Sequence, residues 1–383
     1  VKGRVFLSLL LVWCLVLIPT LSLGSGLPER KIIVFKKGVP EQTKEQVLAT
    51  HGATILKKLD IINAHVVMLS SGEAKKIADN PAVLRVEDDI EVFATGKPAP
   101  TQPSQTLPWG IDRVDAEMSW SISDGAGVKV AVVDTGIDLT HPDLTGKVKG
   151  GINCIDPAKS YNDDNGHGTH VAGIIAATNN SIGVVGVAPN IDLYAVKVLN
   201  RQGSGYISDI VEGLDWCIQN GIQVVNMSLG SASYSQSLAD AVNKAYNAGI
   251  VLVAAAGNSG GTVEYPAALP GVIAVAATDS NNNLASFSCR GPEIDLSAPG
   301  VNIYSTYKGS TYQTLSGTSM AAPHVTGAAA LAISSGKADL NGDGMITPAE
   351  VEQQLESTAI DLGNSGFDNY FGFGLVNVYN AIK

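Results

Sequence analysis

Residues 104–383 carry short, almost unbroken apolar runs separated by amphipathic stretches. Val128–Asp134, Leu193–Leu199, Val224–Leu229, Ile250–Ala255 and Val272–Ala276 predict strands. His170–Thr178, Ser208–Asn220, Ser237–Ala248, Ser319–Ser334 and Val351–Ser357 predict helices. Strands that are apolar at consecutive positions need cover on both faces. The pattern therefore predicts an α/β fold: a doubly wound, mainly parallel sheet with helices on both faces. The functional edge of such a sheet lies at the carboxyl ends of its strands. Asp134 sits at such an end, and Asn258 follows another.

The first quarter of the chain reads differently. Arg30–Phe35, Ala53–Leu59, Ala64–Ser70 and, with interruptions, Val83–Val92 predict strands, with helices over Glu41–Thr50 and Gly72–Asn80. That βαββαβ order suggests a ferredoxin-like α+β unit. At about 70 residues it is marginal alone and needs a partner surface, for which the downstream domain is the candidate. A proline-rich linker runs from Gly96 to Pro103. Ahead of the unit, Lys2 and Arg4 precede an apolar run from Val5 to Ile18, then Pro19 and small residues through Gly26. This is the layout of a secretory signal cut near Ser25, and the run is short for a membrane anchor. The expected division is 1–25 signal, 26–95 leading unit and 96–383 main domain.

Charge sharpens the division. Residues 1–95 hold 12 basic and 10 acidic residues, a net +2; residues 96–383 hold 13 and 26, a net −13. An acidic body argues against nucleic acid, whose binding rests on neutralised phosphates. It suits a soluble exported monomer that binds cations. Cys14 would leave with the signal. Cys154, Cys217 and Cys289 then allow one disulfide and one thiol, or three buried thiols.

Chemistry concentrates in three stretches. Gly317-Thr318-Ser319-Met320-Ala321-Ala322-Pro323-His324 opens an apolar helix with a serine near its N-terminus, where free N–H groups favour an oxyanion. Lys129–Gly136 is an apolar strand ending in Asp134, and Asn165–Gly173 sets His167 at the start of an apolar helix. A serine nucleophile needs an imidazole to take its proton, and the imidazole needs a carboxylate to fix its tautomer. Together the stretches resemble the signature segments of the subtilisin family of serine proteases, which share the Asp, His, Ser chain order. The resemblance implies Asp134 as orienting acid, His167 as general base and Ser319 as nucleophile, with Asn258 as oxyanion donor. It implies that Gly203-Ser204-Gly205 and Ser228-Leu229-Gly230 sandwich an extended peptide, and that Ala255, Ala256 and Gly257 line the pocket for P1, the residue on the acyl side of the scissile bond. The leading unit resembles the propeptide that assists folding and inhibits the enzyme. By likeness to archaeal-type subtilisins, self-cleavage is expected near Thr95–Gly96, leaving Val92–Thr95 in the substrate subsites.

One residue departs from the family pattern. Glu264 stands, by alignment on Tyr265-Pro266, where members often carry a small residue at the base of the P1 pocket. A carboxylate there would favour Lys or Arg at P1. Thr95 fits that preference poorly, and a solvent-facing Glu264 is the alternative.

Two calcium sites are expected. Asp339, Asn341, Asp343, Met345 through its carbonyl, Thr347 and Glu350 match the EF-hand loop at positions 1, 3, 5, 7, 9 and 12, with Gly344 at the turn. Without a paired hand, the loop reads as a stabilising clip. The family resemblance alone adds Gln105, Asp143, Thr178, Asn180, Ile182 and Val184. His167 and His170 lack the spacing and the glutamate of a zinc hydrolase, and His51, His65, His141 and His324 show no ligand pattern. The reading reached is a secreted, calcium-stabilised serine endopeptidase made as an autoprocessed zymogen that acts on proteins and peptides. The rivals are a narrow processing protease for basic P1 residues and an inactive calcium-binding scaffold.

Overall fold

The computed structural model describes residues 28–94, 97–99 and 106–383. The signal-like segment, the Thr95–Gly96 bond, most of the linker and Gln105 lie outside the described residues.

The leading unit runs β1 (Pro28–Phe35), α1 (Glu41–Thr50), β2 (Thr54–Leu59), β3 (Ala64–Ser70), α2 (Ser71–Ala78) and β4 (Val83–Asp88). Its antiparallel sheet has the order β2-β3-β1-β4. Alternation along β1 serves two cores. Ile33 and Phe35 pack with Leu48 and Ile77 inside the unit, while Ile32 and Val34 join the core of the main domain. The interruption expected within Val83–Val92 falls at Asp89–Ile90. The next strand, β5 (Glu91–Ala94), leaves for a different sheet, and β6 (Lys97–Ala99) follows it.

The main domain continues α3 (Trp109–Arg113), α4 (Ala116–Ser119), β7 (Lys129–Asp134), β8 (Val148–Asn153), α5 (His167–Ala176), β9 (Asp192–Lys197), β10 (Ser204–Tyr206) and α6 (Ile207–Gln219). Then come β11 (Val224–Met227), β12 (Leu229–Gly230), α7 (Gln236–Asn247), β13 (Val251–Ala255), β14 (Val272–Thr278) and β15 (Leu296–Pro299). The hairpin β16 (Ile303–Tyr307) and β17 (Thr311–Ser316) leads to α8 (Thr318–Ser334), α9 (Pro348–Ser357) and α10 (Val378–Ile382).

Seven strands form one sheet in the order β15-β14-β13-β11-β7-β9-β8, parallel at each pairing. Along β7, Val130 and Val132 face the layer of α5 and α8, and Ala131 and Val133 face that of α6 and α7. This double burial is why β7 reads as a solid apolar run. The glycine-rich β8 and the four-residue β15 lack such a run, so the sequence did not announce them. Among the described residues no helix is long and apolar enough to cross a membrane.

Candidate active site

Asp134 ends β7 with its side chain wholly buried. Its Oδ1 accepts from the Thr135 N–H at 2.7 Å, and His167 Nδ1 lies 2.8 Å and 2.9 Å from its two oxygens. A carboxylate only accepts, so the imidazole proton resides on Nδ1 and Nε2 is the basic nitrogen. His167 is the first residue of α5, a turn earlier than hydrophobic period alone predicts. The helix starts there because Gly166 takes φ +116°, and a Cβ on it would strike the Tyr307 ring at 2.2 Å. Gly168 is needed as well, because its Cβ would lie 2.2 Å from the Gly136 carbonyl, beside Asp134.

Asp163 holds this arrangement together. Its carboxylate accepts from the N–H groups of Asn165, Gly166 and Thr169 and from the hydroxyls of Thr135 and Thr169. It thus caps the helix that carries His167 and ties it to the residue after Asp134. The Asp-Asp-Asn-Gly run just before an apolar helix was the available signal.

Ser319 is the second residue of α8, and α8 packs along α5. The Ser319 hydroxyl donates to the Ser228 carbonyl at 3.2 Å, and the Ser228 hydroxyl donates back to the Ser319 carbonyl at 2.9 Å. Behind them Asn226 Nδ2 donates to Ser228 Oγ, and Thr326 Oγ1 donates to Asn226 Oδ1, each at 2.9 Å. A polar residue inside the apolar β11 was the sequence signal for Asn226. Asn258 accepts through Oδ1 from the Thr318 N–H at 2.8 Å and the Thr318 hydroxyl at 3.0 Å. Thr318 Oγ1 also accepts from the Gly257 N–H at 3.1 Å. Thr318 therefore fixes the Asn258 amide with its oxygen engaged and its Nδ2 as the donor to be presented.

A segment of the chain itself lies in the expected peptide groove. β5 forms a three-stranded sheet between β10 and β12. Gly205 pairs with Val92, Ser204 and Gly230 pair with residue 93, and Leu229 pairs with residue 94. Gly203 shapes the turn into β10 and donates its N–H to the Asn200 carbonyl. Ala255, Ala256 and Gly257 are buried at the end of β13. Beyond the undescribed bond, β6 pairs with β17, Lys97 opposite Ser316, three residues before Ser319. Glu264 is half-buried, with its side chain against Gly257 and Gly230. Its carboxylate packs against those two glycines while part of the residue stays accessible.

The cation candidates differ in character. In the 339–350 loop, Asp339 accepts from the N–H groups of Gly342, Asp343 and Gly344, and Asp343 accepts from Met345. Asn341 accepts from Asp343. Glu350 Oε2 accepts from Thr347 in a capping box, while its Oε1 reaches the Asn341 N–H at 3.4 Å. The loop thus curls until its last ligand candidate meets its start. Asp143 is fully buried and accepts from Asn180 Nδ2, the Val184 N–H and the Tyr312 hydroxyl, each at 2.9 Å, while Thr178 donates to its carbonyl. Ile182 is exposed next to these groups. Among the described residues, the one set of three acidic or imidazole side chains with donor atoms all within 4.8 Å is Asp295, Glu352 and Glu356. Burial pushes the carboxyls of all three up, Asp295 to about 7 and Glu356 to about 8.

His170 is spent on structure. It is fully buried, its Nε2 faces the carbonyls of Ile303 and Gln313, and burial lowers its pKa to about 3. Cys154, Cys217 and Cys289 are all free and buried, which settles the disulfide alternative against a bridge.

The sequence profile of the subtilase family matches residues 125–374. The chain is 48% identical over 331 residues to an alkaline protease of Alkalihalobacillus alcalophilus, covering 86% of this chain and 82% of that protein. It is 45% identical over 357 residues to a thermostable alkaline protease of Halalkalibacterium halodurans (93% and 92%), and 44% identical over 371 residues to subtilisin E of Bacillus subtilis (94% and 92%). These relatives are bacterial, so the archaeal-type affinity expected from the sequence finds no support in them.

Proposed function

The chain belongs to the subtilase family and is a serine endopeptidase, and from that premise we propose that it is a secreted, calcium-stabilised enzyme that matures by cutting itself after Thr95. The observation that carries the mechanism is the His167 imidazole held at Nδ1 by buried Asp134, on a helix packed along the one that presents Ser319.

Ser319 Oγ attacks the peptide carbonyl as His167 Nε2 takes its proton. Asp134 stabilises the imidazolium and keeps the ring oriented. The oxyanion receives hydrogen bonds from the Ser319 N–H and from Asn258 Nδ2. Loss of that amide donor costs subtilisin itself about 100- to 1,000-fold in kcat. His167 then protonates the leaving amine, and water repeats the cycle on the acyl-enzyme.

The maturation reading is supported by β5 and β6. One strand leads into the groove from the acyl side, and the other lies on β17 beyond the bond. After cleavage residues 91–94 would remain as a product strand, so the leading unit would inhibit what it helped to fold. Export is supported by the charge–apolar–small layout of residues 2–26. Calcium is supported by all-oxygen donor sets: Asp339, Asn341, Asp343, Met345, Thr347 and Glu350 in the loop, and Asp143, Thr178, Asn180, Ile182 and Val184 with Gln105 at the second site. When bound, the ions would clip surface loops and take no part in bond breaking.

Intact mass of the secreted protein after a serine-directed fluorophosphonate tests the core of this. Wild type should begin at Gly96 and carry one adduct, on Ser319. Ser319→Ala should stay uncut and unlabelled. Folded, propeptide-free wild type that takes no label would sink the reading.

A further inference from the structure

We propose that Glu264 makes lysine and arginine the preferred P1 residues of this enzyme. The inference rests on the endopeptidase reading and names the substrate class of that site.

The register of β5 locates the P1 position. Residue 94 pairs with Leu229 in an antiparallel ladder, so the next residue of a peptide bound in this way lies opposite Ser228. The Ser228 carbonyl accepts from the Ser319 hydroxyl, so that next residue is the acyl residue. Leu229–Gly230, next along that strand, and Ala256–Gly257, at the end of β13, both border Glu264.

Glu264 bridges those two segments. A Cβ on Gly230 would lie 2.9 Å from its Oε2, and a Cβ on Gly257 would lie 2.6 Å from its Cδ. Its backbone is pinned in place, with the Glu264 N–H donating to the Ala256 carbonyl and its own carbonyl accepting from Ala268. The carboxylate is thus held between the strand that pairs with residue 94 and the end of β13, beside the acyl position.

Its charge has no protein counterpart. Ser259 hydrogen-bonds it, but among the described residues no Lys, Arg or His forms an ion pair with it. Burial pushes its carboxyl up from the usual range. A half-buried carboxylate without a cation is a costly arrangement, relieved when a cation arrives. A P1 lysine or arginine brings one on an aliphatic stem. The expected self-cleavage after Thr95 does not contradict this. Intramolecular presentation raises the effective concentration so far that a poor P1 fit is still cut.

The test compares mature enzyme on peptide substrates that differ only at P1, lysine against its uncharged near-isostere norleucine. The expected kcat/KM ratio is about 10- to 100-fold in favour of lysine, shrinking as sodium chloride is raised from low to molar concentration. The overall negative charge of the domain also favours cationic peptides, so Glu264→Gln isolates the local effect. That variant should bring the ratio near one, and Glu264→Asp should restore part of it. A wild-type ratio near one at low salt would overturn the proposal, as would an unchanged ratio in Glu264→Gln. If the variants do not fold, the same lysine–norleucine pair placed two residues upstream of P1 decides the matter, because a preference of equal size there would reduce the effect to overall charge and overturn the proposal. Failure to cut either peptide would instead overturn the endopeptidase reading itself.

Discussion

The leading unit and the main domain bury their sheets in opposite ways. The main domain covers both faces of its parallel sheet with its own helices. The leading unit covers one face with α1 and α2 and gives the other to α6 and α7 of its neighbour. Polar contacts repeat the asymmetry. Asp89 accepts from the Ser208 N–H and hydroxyl at the start of α6, and Glu87 accepts from the Ser237 N–H and hydroxyl at the start of α7. Each carboxylate thus meets the positive end of a helix dipole across the interface. Lys57 reaches Asp209 at 2.6 Å and Glu212 at 2.7 Å, and Arg85 reaches Asp240 at 2.6 Å. The lesson is that the small unit has one face completed by the large one.

The largest effect that could break this comparison concerns independence. A peptide of residues 28–94 should be mostly unfolded by far-UV circular dichroism, and should gain β and helical signal when mixed with the Ser319→Ala main domain. A cooperatively melting isolated unit would refute the borrowed core. Next comes the calcium proposed for the main domain. Calcium removal should lower its melting temperature by about 5 to 10 °C, and Glu350→Gln should remove most of the calcium response of the 339–350 loop.

Smaller effects sharpen the interface. Asp89→Ala and Glu87→Ala should each weaken binding of the cleaved leading unit about tenfold, in line with the loss of a helix cap. Burial opposes ionisation of Glu87, but hydrogen bonds from Ser237 and Arg85 outweigh it and hold its pKa below 4.5. A lowered pKa contributes binding that is complete above the ordinary carboxylate range. That contribution fades as pH falls through the value in the complex. Inhibition by the leading unit should therefore weaken in acid below pH 4.5, and Glu87→Gln should flatten that dependence.

The smallest effect lies far from the interface. The folded-state pKa values of Asp295 and Glu356 are raised, to about 7 and about 8. Raised carboxyls cost nothing while protonated in both states. The cost then grows as pH climbs from the ordinary carboxylate range to about 8. Glu356→Gln should raise the melting temperature by about 2 °C at pH 9 and leave it unchanged at pH 4.

Particular residues show what was legible beforehand. β7 was plain because it is apolar on both faces, and α8 because almost every residue after Ser319 is small and apolar. Hydrophobic period alone starts α5 at His170, while the motif and the structure start it at His167, because the conformation of Gly166 and the cap from Asp163 set it. The interrupted run Val83–Val92 divides into β4 and β5, and nothing in its apolar pattern reveals that Asp89 is drawn to α6 or that β5 leaves for another sheet. Thr318 and Thr326 carry no signal of spacing, and Asn226 is marked only as a polar residue inside an apolar strand. Their importance lies in what they touch.

The sequence alone set Asp134, His167 and Ser319 in motifs that resemble the family's signatures, at the ends of apolar strands and helices, with Asn258 after a strand. It also determined the layering, because unbroken apolar strands can only be covered twice. The tertiary structure decided the relations between distant segments. It set Glu264 between Gly230 and Gly257, laid β5 between β10 and β12, and capped two helices with carboxylates from another unit. Local patterns follow from periodicity and propensity, which neighbouring residues share. Contacts between such segments follow from packing, which only the folded chain makes.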